Sequence, residues 1–401
     1  MKVLALAGYD SFLNTVRLIA PYFEAQGADV DFALVSARNK KQISREQVTE
    51  MGFKKPISLI TIKDLCRSGD IQSYDIVLSC LEGLSTRRLF HYLAELKNRR
   101  PLVISVYPGL VLRYAYDGFS MRAPADLLWL NCKRDLEAYS VMCQAFGVDA
   151  SNARQFGIAS LLEKIEREPG AQENGPIVFF EQAVIPRYYD ERNFMVKELC
   201  VLARRYPERE FLIKARAPGK KATLHRTWHA IERLFQELSK SKAGVPENIH
   251  LTDERAASLL SRASHCLTIS STVAAEAINA GVPTTLISDF GAHDDYGLQY
   301  FYESGLIKSF NAIDLDKIIL AEKKWLEKFY FTPEYTVEKL VLEALNIRKN
   351  NSYNLAKTPV SLYSSEFNNY LSITHSPNSI INRNHQRKIS IISRLSRLLR
   401  V

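Results

Sequence analysis

Residues 268–283 read Thr-Ile-Ser-Ser-Thr-Val-Ala-Ala-Glu-Ala-Ile-Asn-Ala-Gly-Val-Pro, and this stretch decides the fold. An apolar strand ends at Ser270, and a helix begins at once after a turn of hydroxyl residues. Gly281 and Pro283 then end the helix and lead into a second apolar strand. Buried strands joined through a helix in this way are typical of a parallel sheet with helices on both faces.

The same alternation runs through both halves of the chain. Strands are predicted at Lys2–Gly8, Asp29–Val35, Ile57–Ile62, Tyr74–Cys80, Pro101–Val106 and Leu127–Leu130, and again at Ile177–Phe180, Phe211–Lys214, Ile249–Leu251, Cys266–Ile269 and Thr284–Ile287. Helical periodicity separates most of them. The pattern predicts an α/β protein with two doubly wound, Rossmann-like domains that face a cleft at the carboxyl ends of their strands.

Composition shifts mark the domain boundaries. The polar stretch 162–175 divides a first domain, 1–165, from a second, 175–345. After residue 345 the sequence turns to Asn, Ser, Tyr and Lys, so 346–401 is predicted to be a polar linker and a basic amphipathic tail. Apolar residues from 391 to 399 share one helical face opposite Arg394 and Arg397, a pattern suited to an anionic membrane surface. Docking on the protein's own core and an unstructured tail remain alternatives.

Charge and composition exclude several classes. The 401 residues carry a net charge of +9, but six basic residues and no acid lie in the last nineteen positions. The rest of the chain is therefore only mildly basic, and nucleic acid is not expected as a partner. No apolar run approaches the roughly 20 residues that cross a bilayer, and the six scattered cysteines form no CxxC pair. We expect a cytoplasmic protein that associates peripherally with the inner membrane face.

The turn before the helix at Val273 is a candidate phosphate site. Three hydroxyl residues, Ser270, Ser271 and Thr272, can join free backbone N–H groups around an anion. Glu276 lies one turn further on, where it can reach a ribose or cap the helix. Plain N-capping is the alternative for the hydroxyls. Cations and an amide at other strand ends of the second domain are predicted to assist, namely Lys214, Arg216 and Gln182.

A carboxylate at a strand end of the first domain is the candidate catalytic base. Glu82 follows the apolar run 76–80, so it is expected at the cleft, half shielded and able to take a proton from an acceptor hydroxyl. Its alternative role is an acid that interacts with the dipole of the following helix. Asp117 is the rival base. The residues predicted to contact the acceptor or the sugar are Gly83, Arg113, Arg122 and His293.

Other catalytic signatures are absent from the sequence. There is no GxGxxG, P-loop or GxSxG motif, which argues against a dehydrogenase, an ATPase and an α/β-hydrolase. The run His293-Asp294-Asp295 is too local to hold an ion without further ligands, so no metal is predicted.

Ser270-Ser271-Thr272, then Glu276, then Gly281-Val282-Pro283 resembles the nucleotide-sugar site of GT-B glycosyltransferases, and the resemblance covers about residues 1–345. Among these enzymes, bacterial sialyltransferases and related nonulosonic acid transferases have Ser-Ser or Ser-Thr here, on the phosphate of a CMP-sugar. Their acidic-acidic-Gly motif supplies the base. This chain has one acid there, in Leu81-Glu82-Gly83, and residues 211–219 resemble the Lys-x-Arg variant of capsule-type transferases instead of the family's His-Pro motif.

The resemblance implies a function for each domain. The first would bind a glycan or lipid-linked oligosaccharide acceptor and the second the nucleotide-sugar donor. We expect a metal-independent, inverting transfer of a sialic- or pseudaminic-type nonulosonic acid from its CMP donor to a bacterial surface glycan such as capsule, with no cofactor. Three alternatives remain open: a GT-B transferase that uses a UDP- or GDP-sugar, a GT-B-like UDP-sugar epimerase, and a non-catalytic subunit of a capsule-assembly complex.

Overall fold

The computed structural model describes residues 1–35, 48–49, 51–53, 57–96, 100–215, 229–242 and 244–350. Seven strands form a first, fully parallel sheet in the order β3-β2-β1-β4-β5-β6-β7. They are β1 Lys2–Ala7, β2 Asp29–Val35, β3 Ile57–Ile60, β4 Ile76–Cys80, β5 Leu102–Val106, β6 Leu127–Leu130 and β7 Ala153–Gln155.

A second parallel sheet follows, in the order β10-β9-β8-β11-β12-β13. Its strands are β8 Ile177–Phe180, β9 Phe211–Lys214, β10 Ile249–Thr252, β11 His265–Thr268, β12 Thr284–Ile287 and β13 Ile307–Lys308. The predicted fold class, two doubly wound domains, is confirmed. The short edge strands β7 and β13 were not predicted, because three and two residues are too few to show a pattern.

Helices cover both sheets. They are α1 Asp10–Ala25, α2 Ile62–Arg67, α3 Gly83–Ala94, α4 Ala115–Arg122, α5 Lys133–Ala145, α6 Ala171–Asn174, α7 Tyr189–Arg205, α8 Ile231–Ser239, α9 Ala256–Arg262, α10 Val273–Asn279, α11 Lys323–Phe329 and α12 Val337–Lys349. No helix in these described ranges is long and apolar enough to cross a membrane.

Alternating residues of each central strand enter different cores. In β1, Val3, Ala5 and Ala7 pack into one cluster, whereas Leu4 and Leu6 pack into the cluster on the other face. Strand β8 divides in the same way. Because both faces of each strand must be apolar, the strands read as continuous apolar runs rather than as alternating ones.

The last helix corrects the predicted second boundary. Helix α12 buries Val337, Leu340, Val341 and Ala344 in the core beneath β1. Glu343 on this helix also forms an ion pair with Arg154 of β7, at 2.6 Å. The helix therefore packs with the first domain, and residues 346–349 complete it instead of starting a linker. The rest of the predicted tail, 351–401, lies outside the described residues.

Candidate active site

Both sheets contain a topological switch point. In the first sheet the chain runs outward from β1 to β3 and then returns to β4, on the other side of β1. In the second sheet, β8 and β11 are neighbours for the same reason. The crossovers on either side of such a pair leave in opposite directions, which opens a crevice at the carboxyl ends of the two strands.

The crevice of the first sheet contains Glu82. This residue follows β4 and precedes α3, and its half-buried carboxylate has two hydroxyl neighbours. Ser85 Oγ donates to Oε1 at 3.1 Å, and the hydroxyl of Tyr9, just after β1, lies 3.4 Å from Oε2. The side chain predicted as the base is thus held where the chains leaving β1 and β4 diverge.

The crevice of the second sheet contains Gln182, after β8, and Ser270, after β11. The Ser270 N–H donates to Gln182 Oε1 at 2.9 Å, and Gln182 Nε2 donates back to Ser270 Oγ at 3.3 Å. Ser270 is fully buried, and its hydroxyl donates to the Tyr296 carbonyl. The polar atoms of Ser270 therefore already have protein partners, which anchor the turn, and its predicted contact with a phosphate stays a prediction. Both ends of the Gln182 side-chain amide form hydrogen bonds with Ser270.

The next two hydroxyl residues are less buried. Ser271 and Thr272 are both partly exposed, and Thr272 Oγ1 accepts a long hydrogen bond from Leu110 N of the first domain at 3.4 Å. Glu276 lies half-buried in α10. Lys214 ends β9 as predicted, and its Nζ donates to the Asp253 carbonyl at 2.7 Å. Arg216 lies outside the described residues.

The loop 107–114 after β5 bridges the two domains. Asn131 Nδ2 holds the Gly109 carbonyl at 2.7 Å from within the first domain. Further along the loop, Arg113 Nη1 donates to the Asp295 carbonyl at 2.9 Å, and the Tyr114 hydroxyl donates to Asp295 Oδ1 at 2.7 Å. The carboxyl edges of the two sheets therefore meet at this loop.

Arg122, which is predicted to contact a substrate, makes several contacts within the protein. Its side chain is buried, Nη2 donates to the Leu81 carbonyl at 2.6 Å, and the guanidinium lies 4.2 Å from the centre of the Tyr107 ring. Burial raises the pKa of Tyr107 to about 12, and the Arg122 charge opposes that shift. This arginine fixes the end of α4 against the strand that leads to the candidate base.

Three other predicted residues lie nearer the surface. Asp117 is exposed in the first turn of α4, and His293 is exposed in the loop after β12. Gly83 begins α3, where a Cβ would lie only 2.4 Å from Met121 Sδ. Glycine there allows α3 and α4 to approach each other beside Glu82.

Sequence reasoning missed Tyr9, Tyr114, Arg187 and Tyr296. Tyr296 is the most embedded of them: its hydroxyl donates to the Glu191 carboxylate and accepts from the Arg187 N–H at 3.0 Å. Burial and the bond to Glu191 raise the pKa of Tyr296 to about 12. Tyr9 could have been found from the sequence, because it follows the first apolar strand and must therefore lie at the carboxyl edge of the first sheet. The others come from loops without a recognisable pattern.

Asp295, in the run His293-Asp294-Asp295, contacts side chains of both domains. Asp295 accepts from Tyr114 and lies 3.6 Å from Arg187. Throughout the described segments, no group of three or more His, Cys, Asp or Glu side chains is arranged to hold a metal ion.

Residues 3–345 match the model of a protein family described as "Putative glycosyltransferase (DUF6716)". Solved structures of similar fold include a "putative UDP-N-acetylglucosamine 2-epimerase" from Listeria monocytogenes, with a TM-score of 0.59 and 14% identity over 90% of this chain and 99% of that one. The UDP-GlcNAc 2-epimerase of Methanocaldococcus jannaschii, in complex with UDP-GlcNAc and UDP, has a TM-score of 0.56 and 14% identity over 86% and 99% of the chains. No curated protein matches the sequence.

Proposed function

The chain belongs to this family, described as "Putative glycosyltransferase (DUF6716)", and from that premise we propose that it transfers a sugar from a nucleotide-sugar donor to a glycan acceptor between its two domains. The observation that carries the proposal is that polar side chains lie at the switch points of both sheets. Each crevice contains a polar pair, Tyr9 with Glu82 and Gln182 with Ser270, and ligands of open α/β sheets bind at such crevices.

Glu82 is the proposed catalytic base of an inverting displacement. Hydrogen bonds from Ser85 and Tyr9 orient its carboxylate. A positioned carboxylate of this kind can accept the proton of the attacking hydroxyl as the new bond forms. Asp117 is the second candidate, and its exposed position on α4 favours it less.

The donor phosphate is proposed to lie against Ser271 and Thr272, the two partly exposed hydroxyl residues of the turn after β11. Glu276 is proposed to contact the ribose, and Lys214 and Arg216 are proposed to supply positive charge. Hydroxyl groups and cations that are already oriented can stabilise the leaving nucleotide without a metal. Negative charge develops on its phosphate in the transition state, where these groups already point.

For the donor itself we propose a CMP-activated nonulosonic acid, supported by the resemblance of the segment 270–283 to transferases of that class. A UDP-sugar is the second candidate, and a specific observation favours it. The similar epimerase from Methanocaldococcus jannaschii is described in complex with UDP-GlcNAc and UDP.

Nucleotide binding tests the proposal and separates the two donors. The protein is melted with CMP, UDP or GDP at a series of concentrations. A ligand at one hundred times its Kd adds about 2.7 kcal/mol to the free energy of unfolding, a rise of several degrees in Tm. Selective stabilisation by CMP supports the nonulosonate donor, and selective stabilisation by UDP replaces it. The Ser271→Ala variant should lose the effect, whereas Ser239→Ala on the exposed face of α8 should keep it.

Product analysis separates the transferase from its alternatives. With the donor found by binding, a transferase releases nucleotide faster when the acceptor glycan is added. An epimerase converts its UDP-sugar without any acceptor. A non-catalytic subunit binds the nucleotide and turns over neither substrate.

We further propose that the basic tail holds the enzyme at the inner membrane face, beside a lipid-linked acceptor. Co-sedimentation with vesicles that contain anionic lipid should pellet the full chain and leave a truncation at Asn382 in solution. Equal pelleting of the two proteins would refute the membrane role.

A further inference from the structure

A cavity of about 240 Å³ lies between the loop after β8 and the bridging loop 107–114. Apolar residues Ala183, Val184 and Ile185 line part of it. Pockets for whole small molecules usually measure roughly 300–1,000 Å³, so this space suits one sugar ring with its substituents rather than a complete nucleotide sugar. It also adjoins the crevice that contains Gln182.

Three arginines line the same cavity, and they differ in how they are neutralised. Arg192 is buried and forms an ion pair with Glu181, and Arg187 lies 3.6 Å from the carboxylate of Asp295. Arg113 contacts only the backbone carbonyl of Asp295. Within the described ranges, no carboxylate lies within ion-pair distance of Arg113. Of the three arginines, Arg113 is therefore the one without an ion pair among the described residues.

Arg192 forms part of the cavity wall. Its side chain is 1% exposed, it forms an ion pair with Glu181, and its Nη1 donates to the Pro186 carbonyl at 3.2 Å. Arg113 is therefore the cavity arginine that the inference uses.

We propose that this cavity binds the carboxylate of an acidic sugar, held by the Arg113 guanidinium. This inference rests on the proposed function, in which the donor is a nucleotide sugar. A planar guanidinium can hold a carboxylate through two parallel hydrogen bonds, and Arg113 has no carboxylate partner within the described ranges. The apolar residues 183–185 offer a surface to the C–H groups of the sugar ring, which a bare phosphate would not use.

Calorimetric titration with matched probes tests the inference. UDP-glucose and UDP-glucuronic acid differ only at C6, which is a hydroxymethyl group in one and a carboxylate in the other. CMP-N-acetylneuraminic acid and its methyl ester form a second pair. We expect the acidic member of the bound pair to bind at least tenfold more tightly than its partner. Arg113→Gln should abolish that preference. Arg233→Gln should retain it, because that side chain is 80% exposed on α8 and does not line the cavity.

A second variant controls for the fact that Arg113→Gln also removes a contact between the two domains. Ala183→Asp keeps the bond from Arg113 to Asp295 and adds a negative charge to the cavity wall, so it should abolish the preference as well. If both variants keep the preference, the cavity does not bind the carboxylate.

The remaining outcomes distinguish this inference from the proposed function. If no nucleotide sugar binds, both fail. If probes bind with no preference for the acidic member, the carboxylate subsite fails and the nucleotide-sugar function stands. If Arg113→Gln weakens acidic and neutral probes equally, Arg113 contacts the shared phosphate, and the carboxylate assignment is overturned.

Discussion

Replacing Glu82 by glutamine tests the base with little damage to the structure. Glutamine has the same shape, and its amide oxygen can still accept the 3.1 Å hydrogen bond from Ser85. The second hydroxyl contact, from Tyr9, is already long at 3.4 Å, so little binding energy depends on it. We expect the free energy of unfolding to change by less than about 1 kcal/mol.

The catalytic cost should be much larger, because an amide does not take up a proton at neutral pH. A positioned general base contributes about 10²–10⁴ in rate, which corresponds to about 3–5 kcal/mol of activation free energy. The assay is nucleotide release from the donor in the presence of acceptor, with kcat and KM measured separately. We expect kcat to fall by that factor, with KM within about threefold of the original. The reason is that Glu82 accepts the proton in the transition state and adds little to binding of the substrates.

Asp117→Asn is the matched control. It removes the rival carboxylate from the exposed first turn of α4 and should leave kcat within about twofold if Glu82 is the base. A Glu82→Gln enzyme that turns over at the original rate would refute the assignment. A hundredfold loss in Asp117→Asn alone would transfer the role to Asp117.

Four further results are expected. Asp126→Ala should lower the free energy of unfolding by about 3–5 kcal/mol in urea titration, because it strands the buried guanidinium of Arg100, which donates to Asp126 at 2.7 and 2.9 Å. Burial lowers the pKa of His265 from 6.5 to about 4. As the pH falls, the unfolded chain therefore takes up the proton before the folded chain does. The contribution of this group to the free energy of unfolding is complete above pH 6.5 and is lost as the pH falls towards 4. Urea titration should show about 2 kcal/mol of extra loss between pH 7 and pH 5, absent from His265→Gln. Gly109→Ala places a Cβ 2.6 Å from Thr272 Oγ1 and should cost about 1–3 kcal/mol, whereas added Thr272→Ala should restore most of it. Transfer should persist in EDTA, and activity restored only by a divalent cation would contradict the metal-free reaction.

The sequence predicts the sheets well, because their strands are short apolar runs with sharp ends. Strands Asp29–Val35, Leu127–Leu130 and Phe211–Lys214 lie where the pattern places them, to the residue. Helix α12 shows the limit of such reasoning. Its apolar residues recur at helical spacing, but the spacing does not indicate which domain they face, and packing against α1 and β5 decides that.

Sequence reasoning about the candidate site succeeds for strand ends and fails for hydrogen-bond partners. Glu82 and Ser270 lie at carboxyl edges because each follows an apolar run. Whether a hydroxyl there remains available to a ligand depends on groups that are distant in the sequence. Ser270 donates its N–H to a residue 88 positions away and its hydroxyl to one 26 positions away, and no local pattern contains either bond.

Strand order explains why these particular ends matter. The pair Tyr9 and Glu82 is separated by 73 residues, and the two meet only because the chain returns to β4 beside β1 after building β2 and β3 on the opposite side. Every strand has a carboxyl end, but a crevice opens only where neighbouring crossovers diverge. The loop 107–114 then joins the two crevices, since its residues bond to Asp295 of the second domain. The site is therefore a consequence of topology, and the motifs in the sequence mark positions that acquire a role only through it.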